Sequence, residues 1–378
     1  MNIPGYQAMK LPLSAGKPKK RMVMLVLLIL AVIGCIFVAH DAFLYDTTIV
    51  RITSIETRHT ETQAGIVSGQ EHYYGQSITG QVLNGEQKGN TVSLYNQYTD
   101  SKVRDERYRV GDSLLVELGQ DRMSGKILEQ KRDTLVYAVS AALLLGMIAV
   151  ADWSGLLAVC SLLINIALLV GALFCYLDGW NILLLTGVMI LLFTILSLLI
   201  GNGWNRRSAL AIVVTLLSLA ATAMIYWIVR AVTPELQYQM LEFGVIPDDL
   251  SALFFCEIMV GGLGAVMDVA ISLISTADEL LECNPHIPYP ELRQSIRAVS
   301  DDIMGTMINV LFFTYICGGL PEMLLMLRNN LTISFVWQYV LSFEMVRFLT
   351  GSIGLVLSVP ISQLVLRIWI KRQEVRHG

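Results

Sequence analysis

Long apolar runs alternate with short polar segments over most of this chain of 378 residues. An apolar run of about 18 or more residues predicts a transmembrane helix, because about 20 residues at a rise of about 1.5 Å each cross the hydrocarbon layer. Eight runs meet that length, at residues 22–39, 134–151, 155–176, 180–201, 207–231, 252–276, 303–327 and 346–370. The pattern therefore predicts an all-α polytopic membrane protein.

The polar stretch between the first two runs, residues 40–132, has the composition of a β-rich domain. Its β-branched and aromatic residues are concentrated in short segments at 47–54, 76–83, 91–95 and 113–118. The pair Asn84-Gly85 is typical of a tight hairpin turn. Five or so short strands in about 90 residues predict a small barrel or sandwich, with an OB-like arrangement as the model.

Lys and Arg are distributed unevenly between alternate polar segments, which predicts the orientation in the membrane. Residues 1–21 end in a basic cluster, the segment 277–302 carries two arginines, and the C-terminal tail is also basic. The segments 177–179 and 232–251 contain neither Lys nor Arg. We therefore expect both termini in the cytoplasm, with residues 40–132 on the outer side of the membrane.

Two local features bear on this topology. Lys131 and Arg132 are basic residues on the predicted outer side, where Lys and Arg are expected to be rare. This expectation is weak for long translocated regions. The first run has the basic start and apolar core of a signal peptide, yet residues 37–40 (FVAH) make a poor cleavage site. We expect residues 22–39 to remain as an uncleaved anchor.

Composition excludes several classes of function. Charged residues make up 15% of the chain, against about 25% in soluble domains, and the net charge of -4 gives no indication of nucleic-acid binding. The six cysteines form no C-x-x-C pair, and His59 and His72 are isolated in the sequence. We therefore predict no disulfide, metal or cofactor. No nucleophile–base motif indicates an enzyme.

Polar and small residues are concentrated in the last three runs. In the sixth, Gly261, Gly264, Asp268 and Ser272 fall on one face at about 100° per residue. Small residues allow a neighbouring helix to approach closely. Asp268 lies well inside the apolar run, where an ionised carboxylate is costly unless it is paired, protonated or hydrated.

The seventh and eighth runs offer matching faces. In the seventh, polar and small residues are spaced three or four apart, and Pro321 is expected to break its far end. We expect the three faces to meet and to remove Asp268, Asn309 and Arg347 from lipid. The candidates for transport or ion coupling are Glu257, Asp268, Ser272, Asp302, Thr306, Asn309 and Arg347. The candidates for helix packing are Gly261, Gly264, Gly305, Gly351 and Gly354.

Two interpretations of these faces remain open. In one, they only hold helices together, and Asp268 is a hydrogen-bonded neutral acid. In the other, Asp268 binds a proton or a cation in a transport path, as intramembrane carboxylates do in proton relays. Asp302 can also be interpreted as a helix cap, because it lies at the predicted start of the seventh helix, where negative charge is favourable.

Four segments carry a resemblance to a known family: 261–280 (GGLGAVMDVAISLISTADEL), 291–295 (ELRQS), 302–309 (DIMGTMIN) and 351–360 (GSIGLVLSVP). With them the chain resembles the YibE/F family of bacterial multi-pass membrane proteins. The resemblance implies an integral membrane protein and points to no substrate. Val310 and the pair Pro321-Glu322 depart from the expected pattern. The last three runs are also similar, more weakly, to the final helices of SecF-type permeases, in which a membrane aspartate is tied to proton coupling.

Two functions compete at this point. The first is a secondary transporter or ion-coupled export component, with its site between the sixth, seventh and eighth helices. The alternative is a non-transporting scaffold or sensor, whose outer β domain binds an envelope partner. The expected surroundings are the lipid bilayer and either further copies of the chain or a second subunit of the YibE/F type.

Overall fold

A computed structural model of the chain describes residues 18–64, 70–99, 106–119, 123–233, 250–285 and 287–377. Most of the predicted basic N-terminal tail and residues 234–249 of the predicted outer loop lie outside this described part. The chain forms two compact units, Met1–Gly155 and Leu156–Gly378.

Eight helical segments in the described residues are long and apolar enough to cross a membrane. This confirms the predicted multi-pass architecture. The helices are α1 Pro18–Ala39, α2 Asp133–Leu177, α3 Ile182–Asn202, α4 Arg206–Val232, α5 Leu250–Cys283, α6 Tyr289–Arg328, α7 Ile333–Val336 and α8 Ser342–His377. A π-helical turn, Trp337–Leu341, joins α7 to α8, so these three elements form one span.

Helix α2 contains two spans, Asp133–Ala151 and Trp153–Leu177. We expected a non-helical break at 152–154, but the backbone stays helical there. A Cβ added to Gly155 would nevertheless overlap the carbonyl group of Met147, eight residues earlier. Those positions lie about 12 Å apart in a straight helix. The chain therefore turns by a sharp bend within α2, and Gly155 permits the backbone contact.

Helix α6 is longer than the run that predicted it. It begins at Tyr289, ahead of the apolar run at 303–327, and Pro290 falls in the first turn, where a helix tolerates proline. Pro321 was expected to end the helix and lies inside it instead, since α6 continues to Arg328. Its missing N–H removes one backbone hydrogen bond without stopping the helix.

The domain between α1 and α2 is a closed five-stranded barrel, as predicted. Its strands are β1 Thr48–Ala64, β2 Gln70–Val82, β3 Thr91–Thr99, β4 Ser113–Leu118 and β5 Ser124–Gln130. They pair in the order β1-β2-β3-β5-β4, and β4 closes the ring on β1. Only β3 and β5 run parallel, which is the arrangement of an OB barrel. Alternate side chains, among them Val50, Ile52, Ile78 and Leu114, fill its interior.

Two buried amides hold the ends of the barrel. Asn84 accepts a hydrogen bond from the backbone N–H of Ile49 and donates to the carbonyls of Tyr45 and Thr47. Gln76 donates to the carbonyl of Tyr108 and accepts from its N–H. Burial raises the pKa of the Tyr108 phenol. Neither amide is left unpaired, which keeps the cost of burying it small.

A buried ion cluster joins the base of the barrel to α1 and α2. Lys131 Nζ lies 2.6 Å from Asp41 Oδ1, 2.7 Å from Asp133 Oδ2 and 2.7 Å from the carbonyl of Val38. Burial alone would lower the pKa of Lys131, but hydrogen bonds to the two carboxylates outweigh it and the pKa is raised. Tyr45 also donates to Asp133. This basic residue on the predicted outer side is therefore neutralised locally.

The core of the second unit lies between α4, α5 and α8. The backbones of α5 and α8 approach most closely at Gly262 and Gly351, where a Cβ on Gly262 would lie 3.5 Å from the Gly351 Cα. One turn further along α8, a Cβ on Gly354 would lie 2.8 Å from Thr222 Oγ1 of α4 and 3.3 Å from Val266 Cγ2 of α5. Small residues at these positions let the α5 and α8 backbones come close together and let side chains of α4 and α5 pack against the α8 backbone.

Replacing Lys131 with Met is expected to destabilise the first unit by about 3–5 kcal/mol, because it leaves two carboxylates buried without a cation. Arg132→Met is the matched control, since Arg132 is 57% exposed and pairs with Glu106 at the surface. Limited trypsin digestion in detergent compares the stability of the two variants. Cleavage after Arg51 or Arg58 in β1 is expected only when the barrel opens. Equal protection of the two variants would contradict the cluster's role.

Gly354→Ala is expected to lower the unfolding temperature, because the new Cβ overlaps Thr222 and overpacking costs about 1–3 kcal/mol. Gly264→Ala is the control: it gains the same helix propensity, and nothing lies within 4 Å of its Cβ. Thermal unfolding in detergent, followed by tryptophan fluorescence, compares the two. A Gly354→Ala protein as stable as Gly264→Ala would show that the contact is not tight.

Candidate functional site

Three charged side chains meet where α5 and α8 lie side by side, and we call them the Arg347 cluster: Glu257, Glu344 and Arg347. Arg347 donates from Nη2 to Glu257 Oε2 and from Nη1 to Glu344 Oε1, both at 2.7 Å. The side chains of Arg347 and Glu344 are 16% and 11% exposed, whereas that of Glu257 is 51% exposed. The guanidinium thus links a buried carboxylate on its own helix to a more open one on α5.

Local sequence explains how the cluster forms. Glu344 and Arg347 stand three residues apart in the first turns of α8, which places them on one helix face. Gly319 of α6 leaves room for the glutamate, since a Cβ there would lie 3.1 Å from Glu344 Cγ. The Phe254 ring of α5 lies 5.2 Å from Arg347 Cζ, within reach of a cation–π contact. Three helices therefore shape the site.

Two hydrogen-bond donors beside the cluster remain unused. Arg347 Nε and Tyr315 Oη are buried and have no hydrogen-bond partner among the described residues. The Tyr315 hydroxyl lies against Gly261, one turn from Glu257, at 2.5 Å from the position of an added Cβ. Buried donors without an acceptor are rare and costly in folded proteins. They can donate to a carbonyl, carboxylate or water oxygen.

The charges of the cluster do not cancel. Two carboxylates share one guanidinium, so its net charge is -1 when all three groups are ionised. A buried ion pair gains little net stability, because desolvation offsets the attraction. Removing one partner is costly, however, since the other charge stays buried. The buried Arg347–Glu344 pair is therefore the part of the cluster whose partners depend most on each other, and the half-exposed Glu257 adds a weaker link to α5.

Asp268 lies apart from this cluster. It is on the exposed face of α5, opposite the face that packs with α8 through Gly262, Val266 and Ala270. Ser272 hydrogen-bonds to the backbone carbonyl of Asp268 and not to its carboxylate. The expected burial of Asp268 between three helices is not what the structure contains. The uncharged face of α5 packs against α8, because burying that face does not remove a carboxylate from water.

The polar face of α6 is also open. Asp302, Gly305, Thr306 and Asn309 line a groove of about 550 Å³ with Val310, Phe313 and Thr314, all from α6. The opposite face of the helix, with Leu311 and Tyr315, packs against the core. Nothing lies within 4 Å of an added Cβ at Gly264 or Gly305. The three predicted polar faces therefore do not meet, and among the predicted polar candidates only Glu257 and Arg347 form a side-chain contact between helices.

Several residues of the site were missed in the sequence. Glu344 stands three residues before Arg347, and that spacing on a helix was a usable signal for the pair. Tyr315, Gly262 and Gly319 had no such signal, since their roles depend on which helix faces meet. In the barrel, His59 and His72 are not isolated: β1 and β2 bring His59 Nε2 within 3.3 Å of His72 Nδ1.

Comparison with known families accounts for nearly the whole chain. Residues 139–372 match the family model described as YibE/F-like protein. Residues 43–130 match the model described as the YibE/F family N-terminal domain. No curated protein and no solved structure matches the chain. The two matched regions correspond to the membrane helices from α2 onward and to the barrel.

Arg347→Met is expected to lower the stability of the second unit by about 3–5 kcal/mol, because Glu344 then stays buried without its cation. Glu257→Gln is the control and should cost about 1 kcal/mol or less, because solvent screens this half-exposed pair. The double variant Arg347→Met/Glu344→Met should recover most of the loss. Thermal unfolding in detergent measures all three. A double variant no more stable than Arg347→Met would contradict the coupling.

Proposed function

The chain belongs to the YibE/F family, and we propose that it is an ion-coupled permease of the bacterial plasma membrane whose site is built around the Arg347 cluster. The single observation that carries this proposal is one guanidinium shared by two carboxylates, one on α5 and one on α8. Ionisable groups within membrane spans are expensive to keep and mark ion or substrate pathways.

The cluster suggests how ion binding and helix movement are coupled. A proton on Glu344 leaves Arg347 paired with Glu257, and the bond between α5 and α8 remains. A proton or cation on Glu257 leaves Arg347 paired with Glu344 within α8, and the bond between the helices is lost. Binding energy that differs between two arrangements is what shifts a conformational equilibrium. Alternating access needs such a switch.

The unused donors indicate the chemistry of the transported solute. Arg347 Nε and Tyr315 Oη both offer a proton to an acceptor, so a solute with a carbonyl, carboxylate or phosphoryl oxygen fits them. Asp268 remains a candidate for a second polar position on the path, with Ser272 one turn away. The proposal requires no redox or nucleophilic chemistry.

The proposed orientation keeps both termini in the cytoplasm. The end of the bundle assigned to the cytoplasm carries Arg207, which pairs with Asp278 and with Glu282 of α5. Lys131 is a basic residue on the proposed outer side and so opposes this orientation, but its charge is paired with Asp41 and Asp133. Reporter fusions at residue 378 and within the 234–249 segment test this arrangement, and a C-terminal reporter active only outside the cell would refute it.

Charge movement in proteoliposomes tests the permease proposal. The chain is reconstituted on a solid-supported membrane and exposed to a jump from pH 8 to about pH 6 and, separately, to a Na⁺ jump, conditions that span the usual range of carboxylates raised by burial. The expected result is a transient current severalfold above that of protein-free liposomes. It arises because an ion enters the membrane field at the Arg347 cluster.

Variants locate the source of that current. Glu257→Gln and Glu344→Gln are expected to reduce it severalfold, and Asp268→Asn reports whether the second position contributes. Glu282→Gln, which removes a carboxylate paired at the membrane edge, should leave it unchanged. Absence of a current in the wild-type protein after both jumps would overturn the proposal. A current that survives Glu257→Gln and Glu344→Gln would move the site elsewhere.

The alternative function, a scaffold or sensor, is favoured by the barrel. OB barrels bind ligands on the face of strands two and three. On β3 the exposed Tyr95 covers Gly75 of β2, with its hydroxyl 2.8 Å from an added Cβ. Deleting residues 45–130 separates the two functions. A permease keeps its ion-jump current without the barrel, whereas a sensor loses its cellular phenotype.

A further inference from the structure

One face of α6 is exposed along the part of the helix that lies within a membrane span. We call it the α6 outer face. It consists of Asp302, Gly305, Thr306, Asn309, Val310, Phe313, Thr314 and Cys317, all of them exposed. Its residues 302–314 line the groove of about 550 Å³ described above. Phe313 and Val310 are exposed on either side of the polar positions.

This face is poorly suited to lipid. The Asn309 amide offers two N–H donors and a carbonyl acceptor, and no described residue hydrogen-bonds to it. Hydrocarbon supplies no partner, so an amide in contact with lipid stays unsatisfied. Thr314 avoids this problem by donating to the carbonyl of Val310 in its own helix. Asn309 has no comparable solution within the described chain, and a protein surface is needed to cover it.

We propose that the α6 outer face is the interface with a second copy of this chain. Two copies enter the membrane in the same direction, so a twofold axis along the membrane normal places their α6 helices side by side and parallel. Asn309 then meets Asn309 of the partner copy. An amide is both donor and acceptor, so this contact is self-complementary, as a twofold interface requires.

Charge and shape also favour a second copy. Asp302, at the start of the face, is charged, but residues 303–321 carry no charged side chain, so most of the face offers no ion pair to a partner of opposite charge. Gly305 has open space beside it, and small residues at such positions allow parallel helices to approach closely. The groove beside Gly305 accepts the apolar side chains of the same face. The proposal is independent of whether the chain transports an ion.

A native cysteine makes the proposal testable in membranes. Cys317 lies on the α6 outer face with a free, exposed thiol, and Cys160 of α2 is exposed but lies elsewhere. The other five cysteines are replaced by Ser or Ala to leave each of these alone in turn. Membrane vesicles are treated with a membrane-permeant bis-methanethiosulfonate. We expect Cys317 to give a dimer of this chain severalfold more efficiently than Cys160.

Substitutions at the proposed contact sharpen the test. Asn309→Leu and Gly305→Leu are expected to reduce cross-linking through Cys317 severalfold, and Asn309→Gln to retain most of it. Thermal unfolding of the monomer in detergent should change little, because Gly305 and Asn309 are exposed and nothing lies within 4 Å of a Cβ added to Gly305. Cross-linking through Cys317 no better than through Cys160, a product with another protein, or a dimer insensitive to Asn309→Leu would each overturn the proposal.

Discussion

The ion pairs of Arg347 are the constraint around which the candidate site of the membrane unit is arranged. A guanidinium and a carboxylate are both poorly tolerated away from water, and each is retained here because the other is present. Glu344 satisfies Arg347 within α8, and Glu257 extends the pair to α5. Around this pair, glycines set the spacing: Gly319 makes room for Glu344, and Gly261 for the Tyr315 hydroxyl. The site is therefore a product of both charge pairing and close helix packing.

The same constraint operates at the base of the barrel. Lys131, 6% exposed, is surrounded by Asp41, Asp133 and a helix-end carbonyl. The chain leaves α1 and enters α2 at this point, so the cluster holds the two connections of the barrel together. In the bundle it is Arg207 with Asp278 and Glu282 that joins α4 to α5. Paired charges thus occur at both ends of the bundle and at the barrel junction.

Helix faces are chosen by what can approach closely without desolvating a charge. Two faces of α5 lie roughly opposite each other, one with Gly261, Gly264 and Asp268 and the other with Gly262, Val266 and Ala270. The second packs against α8, because lipid provides no hydrophobic drive and van der Waals contact decides. Asp268 is left on the open side. On α6 the same competition buries Leu311 and leaves Asn309 exposed.

The sequence by itself determined the spans, the β-rich domain and the location of four of its five strands, because span length and β-alternation are local properties of about 5 to 20 residues. It also identified Glu257 and Arg347 as chemically unusual. It did not determine that these two meet while Asp268 and Asn309 stay apart, nor that Glu344 completes the cluster. Two opposite faces of one helix that both carry small residues cannot be told apart in the sequence as buried or exposed. Only the packing of α4, α5, α6 and α8 decides which one is buried, and that depends on contacts between residues far apart in sequence.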